Sequence, residues 1–177
     1  DLGWNAYVTS WIESRDNTAI KANLTILFDR YIPIMQESMS KRFKKITPIP
    51  NISHTQVLCS LLDSLVVPSN IPPDSPKELY EAYFVFALIW AYGSPLYNDG
   101  QTDYRAEFSK WFMAEFKGLK FPPGLTVFDF WVDPMSNEYT SWSDKVPKFE
   151  LDPEVPLQAC LVHTSETIRI KYFIDIL

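Results

Sequence analysis

Residues 75–93 read SPKELYEAYFVFALIWAYG, and after a short polar break residues 103–118 read DYRAEFSKWFMAEFKG. The apolar positions of the first stretch form two seams, Leu79/Tyr83/Phe86/Trp90 and Tyr80/Phe84/Leu88. The pattern therefore predicts a helix buried on more than one side. Ser75 stands three residues ahead of Glu78, the spacing of a capping box, and Pro76 suits a first helical turn. The second stretch shows one stripe, Tyr104/Phe108/Trp111/Phe112, with charges opposite and Gly118 placed to end it. With Gly93 to Gly100 as the turn, the two stretches form an aromatic helical hairpin, which predicts the core of a helical domain.

Upstream the helical period continues. Trp4 to Ser14 carries Tyr7, Val8, Trp11 and Ile12, with Asn5 as N-cap. Asn17 caps a longer segment in which Ala22, Leu24, Leu27, Phe28, Tyr31, Met35, Met39 and Phe43 recur at helical spacing. Pro33 removes one donor inside that segment and crowds Asp29, which predicts a kink or two shorter helices. The basic cluster Lys41-Arg42-Phe43-Lys44-Lys45 fits a helix C-terminus meeting its dipole. Thr47 to Pro50 reads as a stiff extended connector. Ser53 and Gln56 have capping-box spacing ahead of Val57/Leu58, Leu61/Leu62 and Leu65/Val66, and Pro68 to Pro76 is a proline-rich loop.

Downstream of Gly118 the character changes. Thr126 to Asp133 is β-branched and aromatic, Asp133 to Asn137 is a turn, and Glu138 to Trp142 returns as a second strand. Val146 to Pro156 reads as extended, Ala159 to Val162 as a short buried strand, and Thr164 as the cap of a last helix with Ile168, Tyr172 and Ile176 on one face. The expected fold is mainly α: a helical bundle to about residue 120, then a β-hairpin and short-strand segment with one helix, the boundary lying near Phe121 to Gly124.

The totals narrow the function classes. A net charge of −6 over 177 residues argues against a nucleic-acid or anionic-membrane surface. No run of about 18 apolar residues is present to span a membrane. The chain opens without Met or a signal-peptide pattern and ends inside an amphipathic segment, so it reads as part of something longer. Cys59 and Cys160 lack framework spacing, which favours a reducing compartment, and Asn23-Leu24-Thr25 and Asn51-Ile52-Ser53 read as chance matches to the glycosylation pattern.

Catalytic signatures are scarce. Neither GxxxxGK[ST] nor GxGxxG occurs, and no carboxylate pair stands out for acid–base work. His54, Cys59, Cys160 and His163 have a composition that binds zinc. Positions 54 and 59, however, lie about 140° apart on a helix, too far round for one ligand face. Cys160 with His163 has no nucleophile signature. These residues point to neither a catalytic nor a metal site. Arg105 is different: it opens the second hairpin helix beside Gly93, where it either reaches an anion docked at the turn or is a solvated helix-start arginine.

Leu2-Gly3-Trp4-Asn5 with Ser10-Trp11, Tyr83 to Ala87 with Ile89-Trp90-Ala91, Asp103-Tyr104-Arg105 through Trp111, and Val162-His163-Thr164 with Glu166 to Arg169 form an ordered series of anchors. On these the chain resembles the dynein heavy chains, specifically the axonemal outer-arm type, over essentially its whole length. The resemblance implies that residues 1–120 are the helical small, or lid, subdomain of a second AAA+ module. Residues 121–177 would be the N-terminal part of the third module's large subdomain. It also implies that Leu161, Val162 and Thr164 line the third module's adenine pocket, with His163 standing where many relatives carry Pro. Arg105 would be the lid arginine that contacts nucleotide phosphates.

The same resemblance implies an ATP-driven, minus-end-directed microtubule motor of cilia and flagella. ATP or ADP with Mg is the parent's cofactor; none is expected to stay tightly on this segment, which should not hydrolyse ATP itself. Implied partners are the neighbouring AAA+ modules and linker of the same heavy chain and, through the parent, the microtubule and the dynein intermediate and light chains. No nucleic acid or membrane is implied, and the implied location is the cytoskeleton of the axoneme. The alternative, from another class, is a free-standing helical protein-interaction domain with a β-hairpin appendage.

Overall fold

The computed structural model describes residues 2–43, 50–145 and 165–176. In chain order the elements are α1 (Leu2–Glu13), α2 (Thr18–Arg42), α3 (Asn51–Leu65), α4 (Lys77–Gly93) and α5 (Tyr104–Glu115). A 3-10 turn (Val127–Asp129), β1 (Phe130–Asp133), β2 (Glu138–Ser141), a second 3-10 turn (Trp142–Lys145) and α6 (Ser165–Ile176) follow. The expectation of a mainly helical bundle with a hairpin and a final helix holds.

The centre is α4. Tyr83, Phe84, Val85, Phe86, Ala87, Leu88 and Ile89 are consecutive and all buried, as two apolar seams on one helix require. Helices α2 and α3, β1 and the first 3-10 turn all pack against α4. Fully burying a side chain such as Phe84 contributes roughly 1.5–3 kcal/mol. Its ring meets Phe28 edge-on at 5.0 Å and Tyr31 at 5.7 Å, so α2 is fastened to α4 by aromatic contacts.

Helix α2 is capped as expected: the Asn17 side-chain oxygen accepts from Ala19 N at 2.9 Å and Ile20 N at 3.2 Å. The helix then runs unbroken through Pro33, in place of the two helices the proline allowed. Pro33 and Asp29 both face solvent, so water can take up the carbonyl left without a donor. Lys41 and Arg42 occupy the last turn, as the dipole favours.

Three other caps are not formed. Ser75 donates its hydroxyl back to Pro72 O, closing the turn that precedes α4, and the flanking position belongs to Pro76 with no side-chain bond. Ser53 lies inside the first turn of α3, its amide bonded to Pro50 O at 3.0 Å, because Pro50 starts that helix earlier. Asn5 lies within α1, which is already helical at Leu2, and accepts from the Thr9 hydroxyl. Likewise α5 stops at Glu115 with Phe116 as its C-cap, ahead of Gly118.

The hairpin pairs Phe130 with Ser141, Trp131 with Thr140, Val132 with Tyr139 and Asp133 with Glu138. The strands are shorter than the sequence pattern suggests. Thr126 donates both its amide and its hydroxyl to the Asp129 carboxylate at 2.8 Å, which winds residues 127–129 into a 3-10 turn and delays β1 to Phe130. Trp142 begins the second 3-10 turn instead of ending β2. Phe130 and Val132 point inward, and the Tyr139 hydroxyl reaches Ala82 O of α4 at 3.3 Å. The final helix docks through Tyr172 and Phe173, whose rings lie 5.8 Å from Phe86. The expected extended stretch from Val146 to Pro156, the strand from Ala159 to Val162, the cap at Thr164, the Ile168 side chain, and Lys44 and Lys45 lie outside the residues or side chains described.

Candidate functional site

Arg105 is built into the corner where α4 turns into α5. After Gly93 the chain turns through Ser94 and Leu96, an isolated bridge joins Asn98 to Asp103, and Tyr104 N returns to Tyr97 O at 3.0 Å. Asp103 then caps α5 by accepting from the Arg105 and Ala106 amides. This places the Arg105 side chain over the end of α4. Its Nε donates to Leu96 O at 3.2 Å and its Nη2 to Ser94 O at 2.9 Å. The acceptors are the C-cap carbonyl and a turn carbonyl just past α4, and a cation near a helix C-terminus is electrostatically favoured, so an arginine that gains nothing from its own helix gains from the preceding one. The guanidinium also lies 5.8 Å from the Phe128 ring centroid. The residue remains exposed, and these two bonds use its Nε and Nη2 donors.

Phe128 organises the rest of the corner. Its ring stands edge-on to Trp90 at 5.4 Å and tilted to Phe108 at 5.8 Å. Its backbone oxygen accepts from Trp142 Nε1 at 3.1 Å and from Arg169 Nη1 at 3.3 Å. Arg169 in turn lies over the Trp90 ring, 5.4 Å from its centroid. Burial lowers the pKa of Arg169; the Asp129 charge opposes it and the nearby Arg105 charge adds to it more weakly. Two guanidiniums thus flank one phenylalanine. The sequence singles out Arg105 but not Phe128 or Arg169. The available signal is Gly93, a scarce glycine at the end of a helix otherwise filled with large side chains.

The other sequence candidates separate. Leu161, Val162 and Thr164, with His163 and Cys160, lie outside the described residues. His54 is buried in the core, where Nδ1 donates to Ala91 O at 3.0 Å and the ring stacks on Tyr92 at 4.8 Å. Cys59 is buried, and that burial with the Asp63 charge pushes its thiol up to about 12, Arg15 opposing. Among the described residues no three His, Cys, Asp or Glu side chains gather as a metal site. A cleft of about 400 Å³ lies between the α1–α2 turn and the end of α3, lined by Trp11, Arg15, Asn17, Ile20, Leu62 and Val66. There Arg15 stacks on Trp11 at 4.8 Å and pairs with Asp63, joining α1 to α3.

Residues 24–144 match the family model for the dynein heavy chain AAA lid domain. The chain is 56% identical over 177 residues to the "Dynein beta chain, ciliary" of Heliocidaris crassispina, covering 100% of this chain. It is 56% identical over 175 residues to the human "Dynein axonemal heavy chain 9", covering 99%. To the "Dynein beta chain, flagellar outer arm" of Chlamydomonas reinhardtii it is 35% identical over 179 residues, again covering 99%. It spans 4% of the length of each of these relatives. The matched span contains α3, α4, α5, the hairpin, Arg105 and Phe128, while Arg169 lies beyond it. The chain belongs to the dynein heavy chain family and carries its AAA lid domain.

Proposed function

We propose that this chain is a structural and regulatory segment of an ATP-driven axonemal motor. In this reading residues 1–120 form the lid of a second AAA+ module and residues 121–177 open the third. The observation that carries it is the docking of the hairpin and α6 onto α4. Val132, Trp142, Tyr172 and Phe173 pack on the same aromatic core as the lid helices. A lid built this way turns as a rigid body and passes its rotation to whatever follows α6.

Arg105 is the residue we assign to the nucleotide of the second module. Two of its donors are held by the Ser94 and Leu96 carbonyls just past α4, and on this exposed residue Nη1 is the kind of donor a phosphate oxygen takes. ATP or ADP with Mg, when bound to the parent, supplies the phosphate charge. The chain's own contribution is to hold the guanidinium at the corner and to keep its stem fixed by the turn. Leu161, Val162 and Thr164 are assigned to the third module's adenine pocket on family resemblance alone.

The microtubule track, the minus-end direction, the role in ciliary and flagellar beating, the axonemal location, and the neighbouring modules, linker and smaller dynein chains as partners follow from the family and belong to the same proposal. Hydrolysis is assigned to other parts of the heavy chain. The test has two parts. In the heavy-chain motor domain carrying this segment, Arg105→Lys should weaken nucleotide binding at the second module by about tenfold, and unchanged binding rejects the role of Arg105. A magnesium-dependent ATPase rate from the purified 177-residue chain would contradict the non-catalytic reading.

A further inference from the structure

We infer that Phe128 is a positioning residue that couples Arg105 to Arg169, so that a shift of one guanidinium is felt by the other. The inference rests on the reading of Arg105 above only for its biological use; the coupling itself stands on geometry. Arg105 lies over the Phe128 ring at 5.8 Å, and Arg169 donates to the backbone oxygen of the same residue at 3.3 Å. Ring and carbonyl belong to one residue in a 3-10 turn, so where packing blocks rotation about χ1 and χ2 a push on the ring passes to the peptide.

The ring has little freedom to absorb a push. Trp90, Phe108 and Gly93 enclose it, and a Cβ added at Gly93 would stand 2.4 Å from Phe128 Cζ. The carbonyl is equally constrained, because Trp142 Nε1 already holds it at 3.1 Å. A residue clamped at both ends transmits displacement instead of dissipating it. Arg105 sits at the start of α5 and Arg169 within α6, so the relay joins the lid corner to the last helix of the chain's second part. A nucleotide phosphate pulling on Nη1 of Arg105 would draw on this relay, changing the hold on α6.

The test is a double-mutant cycle on the full chain. Urea unfolding is measured for Arg105→Gln, Arg169→Gln and the pair, each with Phe128 intact and in the Phe128→Leu background. Leucine keeps the backbone oxygen, and so the Arg169 acceptor, while removing the face under Arg105. With Phe128 present, the pair is expected to deviate from additivity by about fivefold in the unfolding equilibrium constant, and in the Phe128→Leu background the effects should add. Additive effects with Phe128 present overturn the proposal. So does a coupling that survives Phe128→Leu and fades with salt, because that is direct repulsion between the two charges.

A second readout covers the case in which Phe128→Leu does not fold. The Nε–H resonance of Arg169 should shift in Arg105→Gln with Phe128 intact, and an unmoved resonance overturns the relay. If Arg105→Lys leaves nucleotide binding unchanged while the cycle shows coupling, the nucleotide assignment fails and the relay stands.

Discussion

The ring of Phe128 occupies the space in which a side chain at Gly93 would begin, its Cζ lying 2.4 Å and its Cε1 2.6 Å from an ideal Cβ. Gly93 is therefore required for close approach and not for an unusual backbone angle. Gly93→Ala forces a ring that is enclosed by Trp90 and Phe108. The expected loss is about 1–3 kcal/mol by urea unfolding, larger than any gain in helix propensity. Gly118→Ala meets nothing within 4 Å and serves as the control, expected within about 0.5 kcal/mol of the parent.

Caps give a second contrast. Asn17→Ala removes an acceptor shared by two amides of α2 and should cost about 1 kcal/mol. Ser75→Ala removes only a bond to Pro72 O in an exposed turn and should change stability by less than about 0.5 kcal/mol. Equal losses would show that Ser75 caps α4 after all.

Alkaline pH should unfold the chain for a reason visible in its core. Burial raises the Cys59 thiol from 9.0 to about 12, and the Tyr31 and Tyr83 hydroxyls from 10.0 to about 12. Above the unfolded values the unfolded chain loses these protons first, so it binds fewer protons than the folded chain and stability falls as pH rises. Unfolding free energy should be level up to about pH 9 and then decline toward about pH 12. Cys59→Ala should move the onset upward by about one unit, to where the tyrosines begin. An onset that does not move removes Cys59 from this account.

Trp142 supplies the fourth prediction. Its Nε1 donates to Phe128 O inside the core, and Trp142→Phe keeps an aromatic ring while deleting that donor. Arg169 still satisfies the oxygen, so the expected cost is about 1–2 kcal/mol, not that of an orphaned carbonyl. In Arg169→Gln/Trp142→Phe the oxygen loses both donors, and the combined loss should exceed the sum of the singles.

What is legible in the sequence follows the range of each interaction. The α4 helix is legible because Tyr83 to Ile89 is apolar in every direction, a property of the string itself. The Asn17 cap depends only on the next three residues, and it is formed. Ser75, Ser53 and Asn5 carry the same local grammar, but nearby prolines or an earlier helix start claim the backbone first. Pro33 reads as a break because its exposure on α2, which makes the lost bond tolerable, is a tertiary fact. The position of Arg105 is legible, but its partners are not, since Ser94 O and Leu96 O become acceptors only through the way α4 ends. Arg169 reaches Phe128 across 41 positions, a relation no local pattern encodes.

The burial of the hairpin against α4 bears on how the molecule exchanges its amide protons. A two-stranded hairpin is marginal on its own, but here Val132 is 1% exposed and Tyr139 is tied to Ala82 O. Opening β1 and β2 therefore strips the wall of the central helix. Their amides should exchange with deuterium no faster than those in the middle of α4, as one cooperative unit that spans the change from helix to strand.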